Sequence, residues 1–475
     1  MRDRRRGSLT TGAFITEQDT RVFLRELDRR YPLIERGEGV WLYDAAGTSY
    51  LDAVGGGAMV ASIGHGVPEL VEAARAQAAR VSFVYNQQFT SPAQEQLADE
   101  LTGLAPEGFT RVHFVTGGSE ANETAVRLAR SYHVERGDAD RWQIISPAQA
   151  YHGPTAVTLS LTGRPALHHH YTPYLSEHLH IPPSTKRLDP TGQAALEALD
   201  LALEAGGPGT VSAFFCEPVS AASLPAYSPP AAFWEGLAER RDQHGFLICL
   251  DEVVTGMGRT GSWFAAERLP FVPDVITTAK GLGAGFAPVG AVLCREEVYR
   301  AVAEGSRAFE LGHTWDGAPL SCAVGLAVVR YLREHRLIEH VQAAGPRLHR
   351  ALGAALADCE LVGDVRGRGF LLGVEYVDPS DGQSFPDAAL GVARRIDLEA
   401  LERGLLVYST QPTADGYAGD QTLLAPAFTS TDEELDLIVE RMRDTVRAVE
   451  REVKGELASD RSRIAVPSPG GDASG

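Results

Sequence analysis

Cysteine is scarce: five thiols in 475 residues, at positions 216, 249, 294, 322 and 359. The number is odd and no pair has Cys-x-x-Cys spacing, so neither a disulfide framework nor a zinc ribbon is supported. Positive charge is also in deficit. Lys and Arg total 44 against 63 Asp and Glu, a formal charge of −19. A surface that negative repels phosphate backbones, which excludes nucleic acid as the main partner. No apolar run approaches the ~18–20 residues needed to cross a bilayer, and mean hydropathy is −0.13. The opening Met-Arg-Asp-Arg-Arg-Arg-Gly lacks the apolar stretch of a secretory signal. The expectation is an acidic globular protein of the cytoplasm, without a membrane partner and long enough for about two to four packed units.

Residues 1–15 and 456–475 read as disordered tails, polar and rich in small residues. Between them, short β-branched or aromatic runs alternate with helical patterns, which predicts βαβ units on a mostly parallel sheet. Strands are expected at Arg111–Val115, Trp142–Ser146, Val211–Cys216, Phe246–Leu250, Val275–Thr278 and Val289–Cys294, with helices such as Glu120–Val134 and Ala231–His244. Past residue 330 the pattern changes. Helices are expected at Leu337–Leu356 and Ala388–Arg403, strands at Gly369–Tyr376 and Thr422–Leu424, then a last helix opened by a Thr431/Glu434 capping box. Val40–Asp44 and Ser49–Ala53 read as a hairpin. The predicted fold class is α/β: a large domain over 65–330, plus a smaller α+β domain formed by both chain ends, 16–64 and 331–455.

Ligands of such sheets gather at the carboxyl ends of strands. After the first strand comes Thr116-Gly117-Gly118-Ser119-Glu120-Ala121-Asn122-Glu123, then a helix. Glycines let a ligand approach closely, and the helix start offers free N–H groups to a phosphate. After Phe246–Leu250 comes Asp251, placed to pair with a protonated ring nitrogen; after Val275–Thr278 come Ala279 and Lys280, an amine for an aldehyde cofactor. Each alone has a plainer reading, as an ordinary turn, a helix cap or a surface lysine. Together, in that order on one sheet, they meet the needs of pyridoxal 5'-phosphate. The tract His168-His169-His170, with His178 and His180 nearby, matches no standard metal spacing and reads as a loop; Cys249 reads as core.

The chain resembles the class III aminotransferases, a subgroup of the fold-type-I pyridoxal-phosphate (PLP) enzymes, from about Tyr31 to Arg451. The motifs that carry this are Gly64-His65-Gly66, Gly117 to Glu123, Tyr151-His152-Gly153, Glu217-Pro218-Val219, Asp251-Glu252-Val253, Thr278-Ala279-Lys280-Gly281 and His313-Thr314. The resemblance implies that Lys280 holds the cofactor as a Schiff base and shuttles a proton, and that Asp251 pairs with the pyridine nitrogen. It implies that Tyr151 and Val253 cover the two faces of the ring, that Gly118 and Ser119 bind the phosphate, that Glu217 supports the O3′ side, and that His152 belongs to the same cofactor set. It also implies a homodimer, with Thr314 reaching the phosphate of the neighbouring subunit, and a small-molecule amino donor and keto acceptor. Racemase, aminomutase, decarboxylase and phospho-lyase chemistry share the scaffold and stand as the alternative; a non-catalytic binding subunit is argued against by the intact Lys280/Asp251 pair. Some positions depart from the family pattern. Pro154 stands where an Arg often follows Tyr/Phe-His-Gly, Ala222 where a second gate Glu would be, and Ala425 where an Arg often precedes the proline. A donor amine on a terminal or non-α carbon, with a neutral far end, is therefore expected. Arg259, Arg368 or a partner's arginine are other possible sources of a carboxylate contact.

Overall fold

The computed structural model describes residues 14–207 and 209–464, with side chains through residue 458. A seven-stranded sheet forms the centre of the molecule, in the order Phe109–Val115, Gly290–Arg295, Val275–Thr278, Leu247–Asp251, Val211–Cys216, Gln143–Pro147, Leu179–Ile181. All its strands run in one direction except Gly290–Arg295, which is antiparallel to both neighbours. The reason is connection length. Parallel neighbours need a crossover helix, whereas the short link through Lys280 returns the chain alongside the strand it has just left. Every residue of Val211–Cys216 and Leu247–Asp251 is buried, as expected for strands covered by helices on both faces. Helix Gly118–Glu135 lies on one face and presents buried Ala121, Ala125, Leu128 and Ala129 to the sheet. Small residues at i, i+4 and i+8 let helix and sheet approach closely.

Two smaller four-stranded sheets complete the chain. One is Val362–Arg368, Leu371–Tyr376, Gln421–Leu424 and Tyr408–Thr410. In the other, Leu405–Leu406 pairs in parallel with Ser49–Asp52, beside Trp41–Asp44 and Ile34–Glu38, so the two ends of the chain share a sheet. Some expectations need correction. The last helix, Asp432–Ile464, continues into the segment expected to be a tail, because Val453 is buried, Leu457 packs on the core and Arg395 donates to Glu456 at 2.8 and 2.9 Å. Phe14–Ile15, expected in the other tail, pairs with Tyr31–Pro32; residues 1–13 and 465–475 lie outside the described residues. The expected helix 388–403 breaks at Gly391 (φ +56) into a turn, Ala388–Leu390, and a helix, Val392–Glu402. The Thr431/Glu434 capping box forms, with both reciprocal bonds at 2.9 and 3.2 Å.

Candidate active site

The sheet sets the order of the site. Asp251 is the last residue of its strand and lies in register with Thr277 of the next; Lys280 follows just beyond that strand's end. Gly290 lies in register with Val115, which places the start of the returning strand against the Thr116–Ser119 turn. Tyr151 to Gly153 and Glu217 follow the ends of two further strands. A cavity of about 310 Å³ opens here, and Gly118, Ser119, Tyr151, His152, Glu217, Asp251, Val253 and Lys280 all line it. Thr314 does not; it is exposed on the loop ahead of helix Pro319–Glu334.

Asp251 is 4% exposed and its carboxylate is held from three directions. Asn122 Nδ2 donates to Oδ2 at 2.7 Å, His152 Nδ1 meets the same oxygen at 2.8 Å, and the Val253 amide donates to Oδ1 at 2.9 Å. The second Asn122 N–H donates to the His152 carbonyl at 2.8 Å, while Thr277 Oγ1 donates to Asn122 Oδ1 at 2.6 Å. A carboxylate with its donors already in place keeps its direction. Asn122 received no role from the sequence, because neither its burial nor its meeting with Asp251 follows from residue type.

The Lys280 amine Nζ makes no hydrogen bond or ion pair among the described residues, while its backbone carbonyl accepts from the Gly283 and Ala284 amides. Burial lowers its ammonium pKa, opposed by the charges of Asp251 and Glu217, so the free amine is more accessible than on a surface lysine. Its backbone lies at φ +29, a region costly for a side-chain-bearing residue. Glu217 accepts from the Ala221 amide at 3.1 Å and from Ser220 Oγ at 3.2 Å. Burial first, with the Asp251 charge adding to it, pushes its carboxyl up to about 7.

The start of helix Gly118–Glu135 fits a phosphate. Its first amides have no helical acceptor, and the Ser119 hydroxyl has no protein partner among the described residues. Two glycines keep the space open. A Cβ on Gly118 would lie 2.8 Å from Val253 Cγ1; one on Gly153 (φ +134) would crowd the Ser119 hydroxyl. These donors, the ring-nitrogen acid and the unpartnered lysine fit pyridoxal phosphate. Two arginines named as possible carboxylate partners do not line the cavity: Arg259 is buried and donates to the Phe370 and Pro426 carbonyls, and Arg368 is exposed. His168 Nε2 donates to the Leu159 carbonyl at 3.0 Å.

The family described as aminotransferase class-III matches residues 25–446. The chain belongs to the class III aminotransferases. It is 35% identical over 436 residues to the uncharacterized aminotransferase YodT of Bacillus subtilis, covering 90% of this chain and 98% of that one. It is 31% identical to the probable gamma-aminobutyrate transaminase 3, mitochondrial, of Oryza sativa subsp. indica, covering 91% and 85%. Among solved structures it is similar to the omega transaminase from Pseudomonas jessenii in complex with PMP, with TM-score 0.86, 27% identity, and 93% and 99% of the two chains covered. This class III aminotransferase is thus an α/β fold-type-I enzyme that uses pyridoxal 5'-phosphate to move an amino group from a donor to a keto acceptor.

Proposed function

We propose that this aminotransferase takes its amino group from an amine, or from an amino acid whose amine is not on the α-carbon, and passes it to a keto acid or an aldehyde. The observation that carries the reading is that Lys280 and Asp251, from neighbouring strand ends, line one cavity whose remaining walls include Val60, Ala222, Val254 and Ala287. Those walls suit an apolar far end. When bound, pyridoxal phosphate supplies an aldehyde that captures the donor's amine and a ring that accepts the electron pair left when the donor's C–H bond breaks.

The chain's residues supply the rest. Lys280 Nζ is the attachment amine and the general base that takes the donor's proton, a role suited to an amine whose pKa burial has lowered. Asp251, oriented by Asn122 and His152, holds the proton on the ring nitrogen. Gly118 and Ser119 bind the phosphate, Tyr151 and Val253 cover the ring faces, and Glu217 supports its O3′ side. The enzyme works as a homodimer, with Thr314 contributed to the neighbouring cavity. Phe83 and Trp315 pack edge to face at 5.1 Å with Trp315 still 56% exposed, an aromatic pair that favours a second copy. Five buried, unpaired thiols agree with a reducing compartment such as the cytoplasm. A panel of amine donors tests the proposal, read as the change in absorbance of the bound cofactor in the purified protein. At least one neutral amine should shift the band, and that shift should reverse on adding pyruvate. A band that responds only to α-amino acids would overturn the reading.

A further inference from the structure

Residues 305–318 join helix Glu296–Glu304 to helix Pro319–Glu334, and Thr314 lies exposed among them. The Asp316 amide donates to the His313 carbonyl at 3.3 Å, which closes a four-residue turn with Thr314 and Trp315 at its centre. The turn fixes the local shape but not where it points, because a loop without a strand or helix of its own can swing. A side chain of the central sheet sets its place. His113, on strand Phe109–Val115, meets the loop twice. Its Nε2 donates to Asp316 Oδ2 at 3.1 Å, across 203 residues of sequence, and its ring lies edge to face with Phe309 at 5.9 Å between centroids. The Asp316 side chain is 7% exposed. Its Oδ1 makes no hydrogen bond among the described residues, although His313 Nδ1 lies 3.4 Å away. His113 is therefore the only side chain among them that donates to this carboxylate, and a buried carboxylate stripped of its donor is costly. The Thr314 hydroxyl, by contrast, makes no hydrogen bond among the described residues.

We propose that His113 is a positioning residue for the neighbouring subunit's cofactor: through Asp316 and Phe309 it holds the Thr314 turn at the angle that delivers the threonine hydroxyl to the partner's phosphate. The inference rests on the reading of Thr314 as a contribution to the neighbouring cavity, and deepens it by naming what aims that residue. A hydroxyl that arrives already oriented gives its full hydrogen bond to a phosphate, whereas one on a swinging loop first loses the entropy of being ordered. The same strand runs on to Val115, in register with Gly290, and then to the Thr116–Ser119 turn. One strand thus leads into its own subunit's phosphate site and steadies the loop that serves the other.

The test uses the full chain loaded with pyridoxamine 5'-phosphate, a form of the cofactor that makes no bond to Lys280, and follows its release by absorbance during dialysis. Thr314→Ala should speed release at least about tenfold, the effect of losing one hydrogen bond to a charged group. His113→Phe keeps a ring against Phe309 but removes the donor, and should speed release about fivefold or more; His113→Gln restores an N–H and should recover most of that. Asp316→Ser breaks the same bond from the loop side and serves if the phenylalanine variant does not fold. In Thr314→Ala/His113→Phe, release should be no faster than in Thr314→Ala alone, within about twofold, because His113 acts through Thr314. Release unchanged in His113→Phe, no recovery in His113→Gln, or effects that multiply in the double variant would each overturn the proposal, the last by placing His113 in support of its own subunit's turn. The oligomeric state of wild type should persist, and its loss in His113→Phe makes His113 an assembly residue instead. A monomeric wild type, or Thr314→Ala that releases cofactor no faster, takes down the Thr314 reading and this inference with it.

Discussion

Asn122 Nδ2 lies 2.7 Å from Asp251 Oδ2, across 129 residues of sequence, and Thr277 fixes which way the amide faces by donating to its oxygen at 2.6 Å. The aspartate's orientation is therefore set by a side chain on the very helix whose start fits the phosphate. Replacing Asn122 by Asp places a second carboxylate against Asp251, and two such groups in contact hold a proton between them. Asn122→Asp should lower kcat about 10- to 100-fold and shift the absorbance of the bound cofactor, whereas Asn122→Ser should lose less. Steady-state rates and spectra of the two variants check this, and equal behaviour would make Asn122 a packing residue only.

Lys280→Ala removes attachment amine and base together and should abolish turnover, with a loss well beyond the ~10²–10⁴-fold of a general base alone. Asp251→Asn should retain cofactor and lose several kcal/mol of barrier lowering, each ~1.4 kcal/mol being tenfold, because the ring nitrogen loses the charge that holds its proton. Single-turnover rates and cofactor content measured together distinguish these variants. Near-normal activity in either one refutes the role given to that residue.

Much of this arrangement was legible in the sequence. The strands Val211–Cys216 and Val275–Thr278 match their expected bounds, since a continuous apolar run between turn residues has few other readings. The edge strand Leu179–Ile181 was missed because three residues are too few to establish an alternation. The Asn122 network was out of reach for a different reason. It joins segments far apart in the chain, and the residue types alone do not say which buried polar group meets which. Lys280 and Asp251 could be singled out because Asp251 ends its strand and Lys280 follows just beyond the next, where ligands of such sheets gather.

Gly118 supplies a steric test of the phosphate site. A Cβ there would lie 2.8 and 3.0 Å from the two Val253 methyls, so Gly118→Ala must push Val253 into the space over the ring. Cofactor affinity should fall at least about tenfold, ~1.4 kcal/mol. The double variant Gly118→Ala/Val253→Ala should recover most of it, since it removes the methyls that clash. Equilibrium dialysis of the cofactor measures both. Failure of the double variant to recover would place the damage in the backbone at the helix start.

The Glu217 carboxyl, pushed up to about 7 by burial, makes stability depend on pH. Between about pH 4.5 and 7 the unfolded chain has lost this proton while the folded chain still holds it. Raising pH through that window therefore favours unfolding, and the penalty is complete above about 7. Glu252, also raised to about 7, adds to the slope. In cofactor-free protein at fixed concentration, Glu217→Gln should reduce the loss of unfolding free energy between pH 5 and pH 8 by up to roughly 3 kcal/mol. Urea melts at the two pH values give the comparison; an unchanged slope means the Glu217 carboxyl is ionised throughout.

Donor choice follows from what the cavity walls do not offer. Pro154 stands where a guanidinium would reach a distal carboxylate, Ala425 is buried, and Arg259 is occupied by two carbonyls. A distal carboxylate would lie among Val60, Ala222, Val254 and Ala287. A charge left unpaired there costs several kcal/mol or stays in water, so 4-aminobutyrate and acetylornithine should be poor donors despite the 31% identity to a probable gamma-aminobutyrate transaminase. A neutral aryl amine should exceed both by at least about tenfold in kcat/KM, a transition-state difference of ~1.4 kcal/mol. Competition between pairs of donors in one reaction, with pyruvate as acceptor, reads that ratio directly. If 4-aminobutyrate wins by tenfold, a cation does reach the distal carboxylate and this account of the cavity walls is wrong.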